Sequence, residues 1–527
     1  MFAKTRITFH NKTEIPFRVP DKELTVFGIM EIEMAKTEIT KKAQEINIVI
    51  DESGSMEDLC EDHQRKIDQI EHVVKNIMEF VLKDCREADV QIGVHSFNTR
   101  VRKIFDRVKI TDDNVEELIT KIKKIRPTDG TNIENALKTL KNMERPTRTR
   151  TNIIMSDGDA NDGETNNDKL ARMVDSNATN YFIGFGLEHN PLLFAALSSR
   201  ERSHYYFVDK IEKSGMIYGE VLYNILFNKY DGVKLEIVSD GGKAYLYDHI
   251  KNEWRSEIII GNISSEMKKT IHIMSNTKDR VKIRVTGYDV EKEEYVEEMI
   301  EWNNMCEEDL TRWIYRQQTM EMIYRAKMID KDREDKLTDG LMEEETIVSK
   351  TKREMKAFVV EMNEYIKTNN LSDDKLMRSL CEDIVVIYRT VGTEHGFMYS
   401  CSRQTSQGAQ RLTTNTDVPE TPYRATIKHT RQNKYLSTYP DSMAYATVYG
   451  FMDKDEEPVF DMKEEAEFDN LIDTILGEPL NQTEWSATQT NVLNSINKKD
   501  AVDRSGGGGL FVSQEIEPII SESGESK

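Results

Sequence analysis

Cysteine is scarce in this chain and scattered where it occurs. Cys60, Cys85, Cys306, Cys381 and Cys401 lie far apart in 527 residues, with no Cys-x-x-Cys spacing. That excludes a thiolate zinc module and does not look like a disulfide framework, so a reducing compartment is the expected home. No run of apolar residues is long enough to span a bilayer. The opening Met1-Phe2-Ala3-Lys4-Thr5-Arg6 lacks an apolar signal region. The expectation is an intracellular, cytoplasmic protein with no membrane insertion. Positive charge is outnumbered: 72 Lys and Arg face 94 Asp and Glu, a net charge of -22. Nucleic acid and anionic membrane would both repel such a chain, so neither is expected as a partner. The basic runs Lys121 to Arg126 and Arg145 to Arg150 are short and flanked by acidic segments.

Catalytic signatures are missing as well. The histidines form no His-Glu-x-x-His, no Gly-x-Ser-x-Gly elbow occurs, and there is no Walker-type glycine-rich loop with lysine. The protein is therefore read as a non-enzyme.

With 38% hydrophobic and 31% charged residues, the chain is polar yet long enough to need three or four separate cores. Residues 1–43 alternate in the strand manner, with Ile7 to His10 and Leu24 to Met34 as the runs. Two strands cannot stand alone, so they are expected to complete a sheet elsewhere. From 44 to 229, apolar strands near 46–50, 89–96, 101–106, 151–155, 180–185 and 204–208 alternate with amphipathic helices. The first helix places Ile67, Ile70, Val74, Ile77 and Val81 on one face. This pattern predicts a parallel sheet covered on both faces, with ligands bound where loops leave the carboxyl ends of the strands.

The period changes to two over 230–305, where runs such as Val233 to Val238, Trp254 to Ile260 and Val281 to Val285 predict an antiparallel sandwich that the N-terminal strands join. Three amphipathic helical segments within 306–392 predict a small bundle. An irregular docked segment is expected at 393–454, and a largely disordered acidic tail at 455–527. The fold class is thus α/β: a doubly wound, mainly parallel Rossmann-like sheet, an antiparallel β-sandwich and a C-terminal helical bundle.

Three loops carry the chemistry. The strand Ile46 to Ile50 runs into Asp51-Glu52-Ser53-Gly54-Ser55, delivering a carboxylate and two hydroxyls into a tight turn. The turn Pro127-Thr128-Asp129-Gly130-Thr131 opens a helix and can present the Thr131 hydroxyl. The strand Asn152 to Ser156 ends on Asp157. Carboxylate and hydroxyl oxygens suit a hard divalent cation, Mg²⁺ first, with Mn²⁺ or Ca²⁺ as alternatives. A separate calcium loop at Asp157 to Gly163 is disfavoured, because Asp162 stands where an EF-hand needs glycine and a strand precedes it. Asp159 and Asp162 are read as tuning the charge at the rim or facing solvent.

Together the three segments resemble the von Willebrand factor A domain and its metal-ion-dependent adhesion site, Asp-x-Ser-x-Ser…Thr…Asp. The resemblance implies that Ser53 and Ser55 bind the metal directly and Thr131 directly or through water. It implies that Asp51 and Asp157 act directly or through bound waters. Neutral hydroxyls leave much of the cation's charge unquenched, so an Asp or Glu carboxylate from a protein partner can replace a bound water. Metal and partner affinity should then be coupled. The order A domain, sandwich, helices is similar to intracellular A-domain proteins of the inter-α-trypsin-inhibitor-like and plant RING-linked kinds, although the Cys/His pairs of a RING are absent here. Thr405 to Thr413 resembles the Ser-Ser-x-x-x-Gln-Arg-x-Thr stretch of the RING-linked members; its other reading is a polar linker.

The expected function is metal-dependent protein binding with a scaffold or adaptor role. The alternatives are an assembly protein whose metal site is mainly structural and, less favoured, a metal-dependent phosphatase. Such phosphatases place a second carboxylate two residues after the first, where this chain has Ser53.

Overall fold

The computed structural model describes residues 4–410 except 13–14, 18, 20, 38–42, 60–64, 145–147, 187–188, 209–213, 240–241, 279–280, 302–306, 337–343 and 394, and beyond 410 only Leu471 and Val492. Strands β1 (Lys4–His10) and β2 (Val26–Glu33) precede an α/β domain. That domain begins with β3 (Gln44–Asp51), α1 (Lys66–Asp84), β4 (Val90–Phe97), β5 (Val101–Lys109), α2 (Val115–Ile122) and α3 (Ile133–Asn142). It continues with β6 (Thr149–Ser156), α4 (Asn167–Ala171), β7 (Thr179–Phe185), α5 (Pro191–Ser198), β8 (Ser203–Val208) and α6 (Ser214–Leu226).

The strand order is β5-β4-β3-β6-β7-β8, parallel throughout except for the antiparallel edge strand β5. β3 is buried along its whole length, polar Gln44, Glu45, Asn47 and Asp51 as well as its apolar residues, as expected of a central strand in a doubly covered sheet. One face packs Ile46, Ile48 and Ile50 beneath α1, α2 and α6; the other places Val49, Phe97, Ile154 and Phe182 beneath α3 and α5. The carboxyl ends of β3, β4 and β6 therefore gather at one edge of the domain, which is what positions the site.

Eight strands follow or complete a sandwich. They are β9 (Asn228–Ser239), β10 (Ala244–Asp248), β11 (Glu253–Arg255), β12 (Glu257–Ser264), β13 (Lys268–Ser275), β14 (Val281–Asp289), β15 (Glu294–Glu301) and β16 (Glu307–Glu308). The sheet β12-β9-β14-β15 packs on the sheet β11-β10-β13-β2-β1-β16 through Ile7, Phe9, Met30, Ile32, Leu235, Ile273 and Ile283. The single strand expected at 254–260 is split: β11 belongs to one sheet and β12 to the other, with the chain crossing at Ser256. Alternation of apolar residues runs on through such a crossing, so periodicity alone does not reveal it.

Four helices complete the described body: α7 (Thr311–Lys336), α8 (Glu344–Thr368), α9 (Lys375–Thr390) and α10 (Gly396–Ala409). The last corrects the irregular segment expected from 393. Its polar composition hid the Phe397, Met398, Tyr399 and Cys401 side chains, which are buried against α7, α9 and the α/β domain. The segments expected at 411–454 and 455–527 lie outside the described residues apart from two. Leu471 packs against the core shared by the α/β domain and the C-terminal helices, and Val492 is buried in the α1–α6 core.

Candidate metal centre

Each side chain singled out from sequence lies at the carboxyl end of the parallel sheet. Asp51 closes β3, Asp157 follows β6, and Thr131 stands two residues before α3. Asp51, Ser53, Thr131 and Asp157 are buried, while Ser55 is half-buried beside the exposed Gly54. The Asp51 carboxylate is fixed from both sides. Its Oδ1 accepts the Ser53 backbone N–H at 2.8 Å, and its Oδ2 accepts the Ser156 hydroxyl. Ser55 Oγ donates to Asp157 Oδ1 at 2.7 Å. A hydroxyl has one proton, so Ser53 Oγ, 3.2 Å from Ser55 Oγ, is the donor of that pair.

Thr131 enters through the next residue, Gly158. The point where a Cβ on Gly158 would stand is 3.3 Å from Thr131 Oγ1 and 3.8 Å from Ser55 Oγ. Glycine thus leaves the Thr131 and Ser55 hydroxyls facing a common cradle between two loops, with Asp157 bonded to Ser55 and with Ser53 linking Ser55 to the Asp51 turn. Among the described residues no group of three or more His, Cys, Asp or Glu side chains is placed to hold a metal. A cation in this cradle would depend on hydroxyl oxygens as much as on charge, which suits Mg²⁺ and fits the donor set present.

Backbone hydrogen bonds lock the loops together. Gly54 N–H donates to Asp129 O at 3.0 Å, and Thr128 N–H to Glu52 O at 2.8 Å. Asp129 takes a left-handed conformation (φ 64°), one that Asp tolerates better than most residues. Asn132 caps α3, its side chain accepting from the Asn135 N–H at 2.9 Å.

Sequence reasoning missed several residues. Asn98, after β4, accepts the Asn132 N–H on its carbonyl and donates its side chain to Thr128 O. Asn161 Oδ1 accepts the Thr131 N–H at 2.7 Å. Asp162, read as a rim or solvent residue, accepts from the Asn132 side chain at 3.2 Å, so it holds the Thr131 loop in place. The Asp and Asn richness of 157–162 was the available signal. No signal marked Lys66. This first residue of α1 extends its ammonium to Asp157 Oδ2 at 2.7 Å, with only 8% of the side chain exposed.

Burial pushes the Asp51 carboxyl up to about 7, against the pull of the Ser156 and Ser53 hydrogen bonds and with a contribution from nearby Asp157. A buried carboxylate held this way favours any cation that can share its charge.

Residues 45–219 match the family described as von Willebrand factor type A domain. The chain carries such an A domain. No curated protein matches the sequence. Among solved structures, the chain is similar to a von Willebrand factor type A protein from Catenulispora acidiphila. That likeness has 12% identity and a TM-score of 0.44, covering 63% of this chain and 81% of that one. It is also similar to the ArnB paralog VWA2 from Sulfolobus acidocaldarius, at 13% identity and a TM-score of 0.46, covering 77% of this chain and 98% of that one. A third is proximal thread matrix protein 1 from the mussel byssus, with a zinc occupied MIDAS motif, at 18% identity and a TM-score of 0.28. It covers 36% of this chain and 47% of that one. None of these likenesses says what the present A domain binds.

Proposed function

We propose that the A domain is a metal-dependent protein-binding module with an intact adhesion-type site. In this reading Ser53, Ser55 and Thr131 offer hydroxyls to a Mg²⁺ ion, and Asp51 and Asp157 offer charge directly or through waters. A bound divalent cation supplies an open coordination position that a partner's Asp or Glu carboxylate can fill. The observation that carries the reading is the cradle at Gly158, where hydroxyls from two separate loops face one point and one of them, Ser55, is bonded to the Asp157 carboxylate. The protein's own contribution is to hold those oxygens in place before a ligand arrives. The sandwich and helices then act as scaffold or adaptor surfaces.

The reading is non-enzymatic. Both oxygens of Asp51 are engaged by hydrogen-bond donors, and Ser53 occupies the place where a phosphatase of that type carries its acid. A cytoplasmic setting is in keeping with Cys85 and Cys381, which are free and buried. Among the described residues no helix is long and apolar enough to cross a membrane.

A second reading, an assembly protein with a structural site, is favoured by one observation: the Lys66 ammonium already satisfies Asp157. Titration calorimetry with Mg²⁺ and Mn²⁺ tests the first reading. The wild-type chain should bind one ion, and Ser53→Ala with Ser55→Ala should abolish binding while leaving the fold intact by circular dichroism. Pull-down in Mg²⁺ against EDTA then separates the two readings. Recovery of every partner unaffected by chelation or by the double substitution would leave only the assembly role.

A further inference from the structure

Lys66 is placed against two general preferences. It is the first residue of α1, where the helix dipole favours anions, and Arg65 before it makes no side-chain cap hydrogen bond. Its ammonium is also largely withdrawn from water, which is costly without a partner. The partner is Asp157 Oδ2 at 2.7 Å, with the exposed Asp58 carboxylate more distant at 3.8 Å. The other oxygen of Asp157 accepts from Ser55 Oγ. One of the two carboxylates of the candidate site is therefore already neutralised from inside the protein.

We propose that Lys66 is a built-in counter-charge that keeps the A-domain site weak for metal until an acidic ligand supplies the missing negative charge. This rests on the metal-binding reading of the same site. With Lys66 charged and both aspartates ionised, the site offers an incoming dication one net negative charge; without Lys66, the same oxygens would offer two. The lysine thus lowers the affinity of the free protein for metal and leaves more of the cation's charge for a partner carboxylate. It acts as a positioning and charge-setting residue through Asp157, and it needs no contact with the metal or the partner.

The test is Mg²⁺ titration of the full chain by calorimetry, with melting curves in EDTA and in Mg²⁺. Lys66→Met removes the charge. Lys66→Gln keeps an N–H donor without the charge and guards against misfolding of the first variant. Lys66→Arg keeps the charge. The Met and Gln variants should bind Mg²⁺ about tenfold more tightly, or better, than wild type. They should melt lower in EDTA and gain more from Mg²⁺, while the Arg variant should resemble wild type. A purely structural lysine would lower the EDTA melting temperature without tightening metal binding. Unchanged or weaker Mg²⁺ affinity in the Met and Gln variants overturns the proposal and leaves the metal site standing. Absence of Mg²⁺ binding in wild type and variants alike at millimolar metal overturns both.

Discussion

Gly158 separates what a residue does by its side chain from what it does by lacking one. A Cβ there would press on Thr131 Oγ1 from 3.3 Å and stand 3.8 Å from Ser55 Oγ. Its backbone is not among those with positive φ, so alanine should be tolerated by the chain but not by the cradle. Gly158→Ala should weaken Mg²⁺ binding about tenfold, as expected when donors are displaced by a few tenths of an ångström, with the melting temperature in EDTA nearly unchanged. Equal affinity in the alanine variant would show that the gap is not where the ion sits. At this scale the sequence was legible in where Asp51, Ser53, Ser55, Thr131 and Asp157 would stand, after two strands and at one helix start. It was silent on Lys66 and Asn98, which reach the site from outside those motifs.

Among the elements, the joint between β13 and the helices is the most demanding. Arg316 on α7 donates to His272 Nε2 at 3.1 Å, to the Gln407 carbonyl at 2.7 Å and to Gln407 Oε1 at 3.1 Å. Since Nε2 accepts, the His272 proton is on Nδ1, which donates to Gln317 Oε1 at 2.8 Å. Gln407 in turn donates to Asp383 on α9 at 2.6 Å, and Gln410 accepts the Thr270 N–H at 2.6 Å. The stretch read from sequence as either a family signature or a polar linker is, at Gln407 and Gln410, a clamp between helices and sheet.

A second proton on His272 would turn an acceptor toward the Arg316 cation. Burial, together with Arg316, holds that imidazole well below its ordinary 6.5, and burial holds His189 down to about 4. The unfolded chain takes up protons below about 6.5 that these folded rings refuse. Their stabilisation is therefore full above that pH and declines as pH falls, by up to about 1.4 kcal/mol per unit for each ring. Compared by urea unfolding at pH 7.5 and pH 5, His272→Gln should lose less stability on acidification than wild type, by about one histidine's share. An identical pH slope in that variant would mean the ring is not held neutral.

Across the whole molecule, the A domain and the helices share one apolar core. Val49, Phe182 and Phe207 of the sheet lie in the same cluster as Phe358, Ile384 and Met398. Tyr399 on α10 meets Phe207 on β8 edge to face, with ring centroids 5.4 Å apart. Tyr399→Ala should cost about 3 kcal/mol, the usual loss for a large aromatic truncated in a core. Because the cluster spans both parts, hydrogen exchange measured in urea should show the A-domain strands and the helices losing protection together. A variant in which only the helices lose protection would show two independently folding units. The six-stranded sandwich sheet is covered on its outer face by the start of α7 and the residue before it, where Ile314 and Leu310 join Phe27, Ile29 and Met274. The helices are therefore a common buttress for both sheets.

What the sequence determined by itself was local and periodic. Continuous apolar runs specified the buried parallel strands, alternation specified the sandwich, and loop composition after two strands and at one helix start marked the candidate donors. Those signals survive in one dimension because each arises from residues close in the chain. Tertiary structure alone decided the crossing of one strand run between two sheets at Ser256, the helix at Gly396–Ala409 and the approach of Lys66 to Asp157, 91 positions away. Each depends on which surfaces meet after folding. A buried charge or a polar helix is stable only beside its partner, and the partner lies elsewhere in the sequence.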